Sequence, residues 1–173
     1  GPHLEQLAKR GDPAAIKLPV ARRSRDSLDL SFSGLKTAVL YAVRGVPKRG
    51  GTFERDASDL PDQTRADVAA AFQAAACKAI ELKLERAIDQ TRLNSPSQTD
   101  PPRAILAGGG VIANETVRAS IRRVADAAGL PVLLAPPEFC TDNAAMIAFM
   151  ASLLPEPDQA IAFRASPRAT VER

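Results

Sequence analysis

At 173 residues, of which 45% are hydrophobic, the chain can bury the core of one domain, or of one lobe with an insertion. Aromatic residues make up only 4%, so Ala, Leu, Val and Ile must fill the core, which is typical of helices packed on a sheet. The apolar runs fall short of the roughly 18 residues of a membrane span, and the net charge of +3 permits a nucleic-acid partner without indicating one.

The two cysteines and the first residues indicate the setting of the chain. Cys77 and Cys140 are too few for a disulfide framework and are predicted to be reduced thiols in a cytosol-like compartment. The chain opens on Gly1-Pro2-His3 without an initiator Met and without a signal-peptide pattern. We therefore expect it to be the carboxy-terminal portion of something longer.

The first half is predicted to consist of helices joined by irregular segments. Helices are expected at residues 2–9, 33–44 and 65–92, with connectors at residues 18–30 and 45–63. The long helix carries the strongest pattern, because Thr64 with Asp67 resembles a capping box. Its buried stripe is predicted to contain Val68, Phe72, Ala75, Ala79, Leu82 and Ile88.

The second half is predicted to alternate between strands and helices. After an exposed linker at residues 94–102, strands are expected at 103–107 and 132–135 and helices at 115–128 and 142–154. Because a helix intervenes, the two strands should be parallel. The predicted organisation is a helical segment with an insertion at 1–102, an α/β core at 103–154 and an irregular basic tail at 155–173.

Each predicted strand ends in a turn that suits ligand binding. Gly108-Gly109-Gly110 follows the first strand, and a glycine turn before a helix lets a ligand approach bare backbone and unpaired N–H groups. Asp142 follows the second strand at the same kind of junction. Because ligands bind at the carboxyl ends of parallel strands, a nucleotide-sized ligand and a cation could lie side by side here.

The glycine turn by itself is a weak signal. It has neither the G-x-G-x-x-G spacing of a dinucleotide site nor the Gly-Lys-Ser/Thr of a phosphate loop. Glycines that serve only a tight turn and close helix–sheet packing explain it equally well. Asp142 likewise has a second interpretation, because any Asp at a helix start can be an N-cap.

Four motifs in one order carry a specific resemblance. They are Gly1-Pro2 with Leu4-Glu5-Gln6-Leu7-Ala8, then Ser31-Phe32-Ser33-Gly34-Leu35-Lys36-Thr37-Ala38-Val39, then Ala113-Asn114 after the glycines, then Cys140-Thr141-Asp142-Asn143-Ala144-Ala145-Met146-Ile147-Ala148. Together they closely resemble the carboxy-terminal half of the tRNA threonylcarbamoyladenosine synthase family, long labelled a glycoprotease or O-sialoglycoprotein endopeptidase. The resemblance covers residues 1 to about 151.

The resemblance implies a fold, a reaction and partners. The implied fold is α/β, an actin-like ATPase fold of the sugar-kinase and Hsp70 type, here mainly the second lobe with a helical insertion. Family members transfer a threonylcarbamoyl group from threonylcarbamoyl-adenylate to the adenosine beside the anticodon of tRNAs that read codons beginning with A. The bacterial enzyme works with a small paralogue and an ATPase partner, in the cytoplasm; an organelle is the alternative in a eukaryote.

The site residues implied by the resemblance are few. Gly1, Gly109, Gly110 and Asn114 match family positions that bind the adenylate or another ATP-like ligand, and Asp142 matches a ligand of a divalent metal, iron or zinc. Gly108 departs from the family pattern and is expected to loosen the turn.

The metal site is incomplete in this chain. The family's two further metal ligands are histidines of an upstream His-x-x-x-His helix, whereas the single histidine here, His3, is expected to face solvent. A lone carboxylate binds a divalent cation poorly. We therefore expect that this chain alone transfers no threonylcarbamoyl group.

Basic residues form a further candidate binding surface, but their pattern does not decide what it binds. Lys36, Lys48 and Arg49, with Arg22, Arg23 and Arg25, could contact tRNA phosphates or a partner protein, and a solvated face explains them equally well. Cys140 has no histidine nearby in sequence, and Ser31 and Ser33 likewise lack a partner, which argues against a protease. Two alternatives stay open: an actin-like small-molecule kinase lobe, and a non-catalytic one-lobe fragment.

Overall fold

The chain is mostly helical with a small parallel sheet. The computed structural model describes residues 1–20, 27–94 and 102–153. Their elements are α1 (Pro2–Ala8), α2 (Ser33–Arg44), α3 (Asp62–Asn94), β1 (Ile105–Ala107), α4 (Glu115–Ala128), β2 (Val132–Leu134) and α5 (Ala144–Leu153), with short 3-10 turns at Ala57–Asp59, Gly110–Ala113 and Pro137–Phe139. The contacts divide the chain into two units, Gly1–Thr141 and Asp142–Arg173, and α5 lies in the second.

The long helix α3 is the centre of the first unit. Helices α1, α2 and α4 all contact it. Val68, Ala79 and Ile88 of the predicted stripe are buried. Ala66 and Cys77 lie outside that stripe and are buried as well. The stripe prediction was therefore too narrow, since a helix packed on several sides buries residues outside a single face.

Helix α1 packs closely on the start of α3. Ala8 is buried against Ala69 and Ala70, small residues that let the two helices approach. A Cβ on Gly11 would lie 2.0 Å from the Ala66 carbonyl oxygen, so only glycine fits where the chain leaves α1.

The predicted capping box is wrong. Helix α3 begins at Asp62, so Thr64 lies inside it. The Asp67 carboxylate is used elsewhere, because its Oδ1 accepts from the Asp12 backbone N–H at 2.9 Å and from Gln63 Nε2 at 2.8 Å. Asp67 therefore bonds to Asp12, 55 positions away in sequence, and does not form the predicted local cap.

The two strands pair in parallel, as predicted. Ile105 pairs with Val132 and Ala107 with Leu134. Helix α4 connects the strands and ends at Gly129 in the left-handed conformation (φ 66°). Ile105, Ile112 and residues of α4 form one core cluster with Cys77 and Ile88 of α3. The core therefore lies between the sheet, α4 and the second half of α3.

The second unit contains α5, which begins two residues later than predicted. Asn143, not Asp142, caps it, because Asn143 Oδ1 accepts from the Met146 backbone N–H at 3.0 Å. The N-cap interpretation of Asp142 is thereby corrected.

Several predictions fall outside the described residues. They are the basic residues Arg22, Arg23 and Arg25, most of the linker at 94–102 and the tail at 155–173. Both cysteines are free and buried, so Cys77 and Cys140 are not paired with each other. Among the described helices, none combines the length and apolarity that a membrane crossing requires.

Candidate functional site

The glycine turn exposes backbone at the end of β1, but only one of its glycines is required by conformation. Gly109 has φ 88°, and a Cβ built there meets no atom within 4 Å. Gly108 and Gly110 have ordinary φ values. A Cβ on Gly108 would lie 3.7 Å from Ala135 Cβ, an ordinary contact. The turn thus depends on Gly109, and all three glycines are exposed.

Asn114 closes the turn as the N-cap of α4. Its Oδ1 accepts from the Val117 backbone N–H at 3.0 Å, and its Nδ2 donates to Gln73 Oε1 on α3 at 2.8 Å. A primary amide offers two N–H donors and two acceptor lone pairs. Among the bonds of the described residues, these two leave one donor and one lone pair of Asn114 for a ligand. The side chain therefore has a structural role as the cap of α4.

A carboxylate from α1 occupies another N–H group at the same helix start. Glu5 Oε1 accepts from the Glu115 backbone N–H at 2.9 Å, across 110 residues of sequence. Glu5 lies one helical turn after Gly1, whose carbonyl accepts from the Glu5 N–H at 3.2 Å. The bond thus joins the helix that follows Gly1 to the start of α4, which Asn114 caps.

The charge at this helix start bears on the kind of ligand it can take. The N–H groups of Glu115 and Val117 are already bonded, and the carboxylates of Glu5 and Glu115 lie there. These groups disfavour an anion. The α4 start is therefore a poorer phosphate site than the sequence suggests, and suits a neutral, hydrogen-bonding group better.

The second strand junction lies against the first, as the parallel strands predict. Arg118 of α4 is only 7% exposed, and its Nη1 donates to the Ile112 carbonyl at 3.2 Å and the Ala135 carbonyl at 2.8 Å. The Cys140 carbonyl lies 3.8 Å from a Cβ built on Gly110. The buried Arg118 guanidinium thus links the segment after the glycine turn to the end of β2 by hydrogen bonds.

Asp142 is exposed and belongs to the second unit. Among the described residues, no three His, Cys, Asp or Glu side chains come together as a metal site would require. His3 is exposed on α1. The residues described here therefore do not fit a complete metal site, and Asp142 can supply one ligand at most.

Within residues 27–94 and 102–153, Cys140, Ser31 and Ser33 have no side-chain base as a hydrogen-bond partner. The Cys140 Sγ lies 3.3 Å from the Pro136 carbonyl oxygen, and the thiol is only 2% exposed. The Oγ atoms of Ser31 and Ser33 are 3.1 Å apart and hydrogen-bond each other. Neither arrangement activates a nucleophile.

Three residues of the predicted basic surface are described by the structure, and they lie on α2 or shortly after its end. Lys36, Lys48 and Arg49 are exposed. The guanidinium of Arg44 stacks on Phe53, with its Cζ 4.7 Å from the ring centroid. These positions suit either phosphate contacts or a solvated face.

Sequence reasoning missed Glu5, Gln73 and Arg118. Only Gln73 leaves a signal, because it is a polar residue among Ala69, Ala70, Ala76 and Cys77 on one face of a helix. The partners of Glu5 and Arg118 depend on how α1, α4 and the sheet pack, which no local pattern encodes.

Comparison with known proteins gives one consistent result. The family described as TsaD, tRNA N6-adenosine threonylcarbamoyltransferase, matches residues 1–149. A protein of that name from Moorella thermoacetica is 42% identical over 147 residues, covering 85% of this chain and 37% of the relative. Similar proteins from Dinoroseobacter shibae and Cereibacter sphaeroides are 40% and 41% identical over 86% of this chain and 38% of their own length.

The chain thus spans well under half the length of these relatives. The match nevertheless includes every motif that carries the resemblance, from Gly1 to Ala148. The chain belongs to the tRNA N6-adenosine threonylcarbamoyltransferase family.

Proposed function

We propose that this chain forms the carboxy-terminal, adenylate-binding portion of a threonylcarbamoyltransferase that acts on tRNA. One observation carries the proposal beyond family membership. The Glu5–Glu115 hydrogen bond joins α1, which begins directly after Gly1, to the start of α4, which directly follows Asn114 and the turn, although the two bonded residues are 110 positions apart in sequence. The implied fold is the second lobe of an actin-like ATPase with a helical insertion.

The proposed reaction is an acyl transfer. The exocyclic amine of the tRNA adenosine attacks the carbamoyl carbon of threonylcarbamoyl-adenylate, a C–N bond forms, the bond from carbon to phosphate oxygen breaks, and the amine loses a proton. AMP is the leaving group. Because the substrate supplies the nucleophile, the protein needs no activated serine or cysteine, in agreement with the shielded Cys140 and the Ser31–Ser33 pair.

The proposed work of this chain is binding and orientation. Exposed backbone at Gly109 and Gly110 lets the adenosine part of the ligand lie close to the turn, and Asn114 adds one donor and one acceptor. The bonded N–H groups at the start of α4 favour ribose or adenine there, with the phosphate held elsewhere. Holding the ligand in one orientation is itself a large part of catalysis.

Asp142 is proposed as one ligand of a divalent metal, iron or zinc, whose remaining ligands lie outside the described residues. Such an ion supplies Lewis-acid stabilisation of negative charge when bound. The further proposed partners are tRNA, a small paralogous protein and an ATPase, with a cytoplasmic location, all implied by the family.

A chimera tests the proposal. Residues 1–149 of this chain replace the matching segment of the Moorella thermoacetica relative, and tRNA modification is measured with that relative's partners. We expect the chimera to form threonylcarbamoyladenosine on tRNA, with the unaltered relative as the control. A chimera that shows a cooperative thermal transition but leaves the tRNA unmodified would refute the proposal.

A further inference from the structure

We propose that Gln73 on α3 is a positioning residue that fixes the side-chain amide of Asn114 for the adenosine part of the ligand. The inference rests on the proposed function, because it assumes that Asn114 binds that ligand. It adds a residue from a different helix, outside every motif that carries the family resemblance.

The geometry is a short chain of hydrogen bonds between α3 and α4. Asn114 Nδ2 donates to Gln73 Oε1 at 2.8 Å, and Gln73 Nε2 donates to Thr116 Oγ1 at 3.0 Å. Both ends of the Gln73 amide are therefore held by residues of the first turn of α4. This arrangement fixes the Gln73 side chain before any ligand arrives.

Two bonds constrain the Asn114 amide where one would not. The cap bond from the Val117 N–H holds the oxygen end of the amide, and the bond to Gln73 holds the nitrogen end. With both ends held, the amide plane cannot swing, so the remaining N–H and lone pair point in fixed directions. Pre-organised groups lose less entropy when they bind a ligand.

The surroundings of Gln73 indicate that helix packing alone does not require it. Its neighbours one turn away on α3 are apolar, with Ala69, Ala70 and Cys77 buried and Ala76 half-buried. A half-buried amide in such a face costs free energy unless it is hydrogen-bonded. Among the described residues, only the hydrogen bonds to Asn114 and Thr116 offset that free energy for Gln73.

The test compares five variants in the chimera, with AMP as the probe. Gln73→Met keeps the side-chain length and removes both amide groups, Asn114→Ala removes the residue through which Gln73 acts, and the double variant combines them. Gln90→Met is the matched control, the same substitution at another half-buried position of α3. Dissociation constants for AMP are measured by calorimetry, and KM and kcat are measured with the adenylate substrate.

We expect Gln73→Met to weaken AMP binding about tenfold and to raise KM more than it lowers kcat. Gln90→Met should leave AMP binding, KM and kcat unchanged. In the Asn114→Ala background, Gln73→Met should add less than about twofold, because its effect runs through Asn114. Thr116→Val, an exposed substitution that loosens Gln73 alone, should give a smaller loss and covers the case that Gln73→Met folds poorly.

The outcomes separate the two proposals. If Asn114→Ala weakens AMP binding while Gln73→Met and Thr116→Val do not, Gln73 is only a packing residue and this inference fails, whereas the proposed function stands. If Gln73→Met weakens binding equally with and without Asn114, the positioning role is wrong. If Asn114→Ala binds AMP normally, the role of Asn114 in the proposed function fails as well.

Discussion

Asn114 has a structural task as well as its proposed binding task. As the N-cap of α4 it satisfies the Val117 N–H, so Asn114→Ala should destabilise the chain by about 1 kcal/mol. Asn114→Asp keeps the cap oxygen and loses the donor to Gln73, so it should retain most of the stability. Urea unfolding of the three proteins measures both effects. Equal unfolding midpoints for Asn114→Ala and the parent would show that the cap contributes nothing.

Asp142 can be tested separately from helix capping, because Asn143 is the cap. Asp142→Asn should change the free energy of unfolding by no more than about 0.5 kcal/mol. In the chimera, the loss of negative charge should remove most of the bound metal, measured by elemental analysis. Asn143→Ala is the opposite control, and should cost about 1 kcal/mol of stability. Full metal occupancy in the Asp142→Asn chimera would leave Asp142 without a metal role.

At the scale of elements, the glycine turn depends on one backbone conformation. Gly109→Ala should destabilise the chain by at least about 1 kcal/mol, because its φ of 88° is strained for any residue with a Cβ. Gly108→Ala should be neutral or slightly stabilising, because a Cβ there makes an ordinary contact and restricts the unfolded chain. The urea unfolding midpoints of Gly109→Ala, Gly108→Ala and the parent test both expectations. The reverse order of stabilities would contradict the assignment of the turn.

The contact between α3 and α4 contains an ion pair that should make stability depend on pH. Burial raises the pKa of Glu81, but hydrogen bonds from Arg123 and Ser120 outweigh it, so the pKa lies below its usual range. A lowered folded-state pKa stabilises the fold above the unfolded value of about 4.3, and this contribution is lost as the pH falls through the folded-state pKa. Arg123 is two-thirds exposed, so the contribution should be about 1 kcal/mol or less.

Glu81→Gln tests this pH dependence. The variant should be less stable than the parent at pH 7, and the difference should shrink below about pH 4 as the parent carboxylate is protonated. Glu85→Gln, on an exposed position of the same helix, is the control and should follow the parent at both pH values. Urea unfolding at pH 7 and pH 3 gives the comparison. A difference that persists unchanged at pH 3 would contradict the ion-pair account.

At the scale of the whole molecule, the chain alone should not transfer a threonylcarbamoyl group. Its sequence has one histidine, His3, and no three ligating side chains come together in the described residues, so the proposed metal cannot be held tightly. The purified chain, with tRNA, adenylate and the partner proteins, should leave tRNA unmodified, while the chimera modifies it. Mass spectrometry of tRNA nucleosides measures the product. Modification by the chain alone would refute this prediction.

Local patterns in the sequence determined much of the fold. The periodicity of residues 33–44 and 115–128 predicted α2 and α4 with their observed bounds, and Gly129 marked the end of α4. The parallel pairing of β1 and β2 followed from the helix between them. The family motifs identified the family, because each is a contiguous run of residues that needs no folding to be recognised.

Contacts between distant residues were decided only by the tertiary structure. Asp67 matched a local capping box but bonds the Asp12 N–H, Asn114 bonds Gln73 on another helix, and Glu5 bonds the start of α4 across 110 residues. Helix propensity, turns and strand alternation act within a few residues and can be seen in the sequence. A hydrogen bond between two elements exists only when packing brings donor and acceptor to about 3 Å, and that distance depends on the whole core at once.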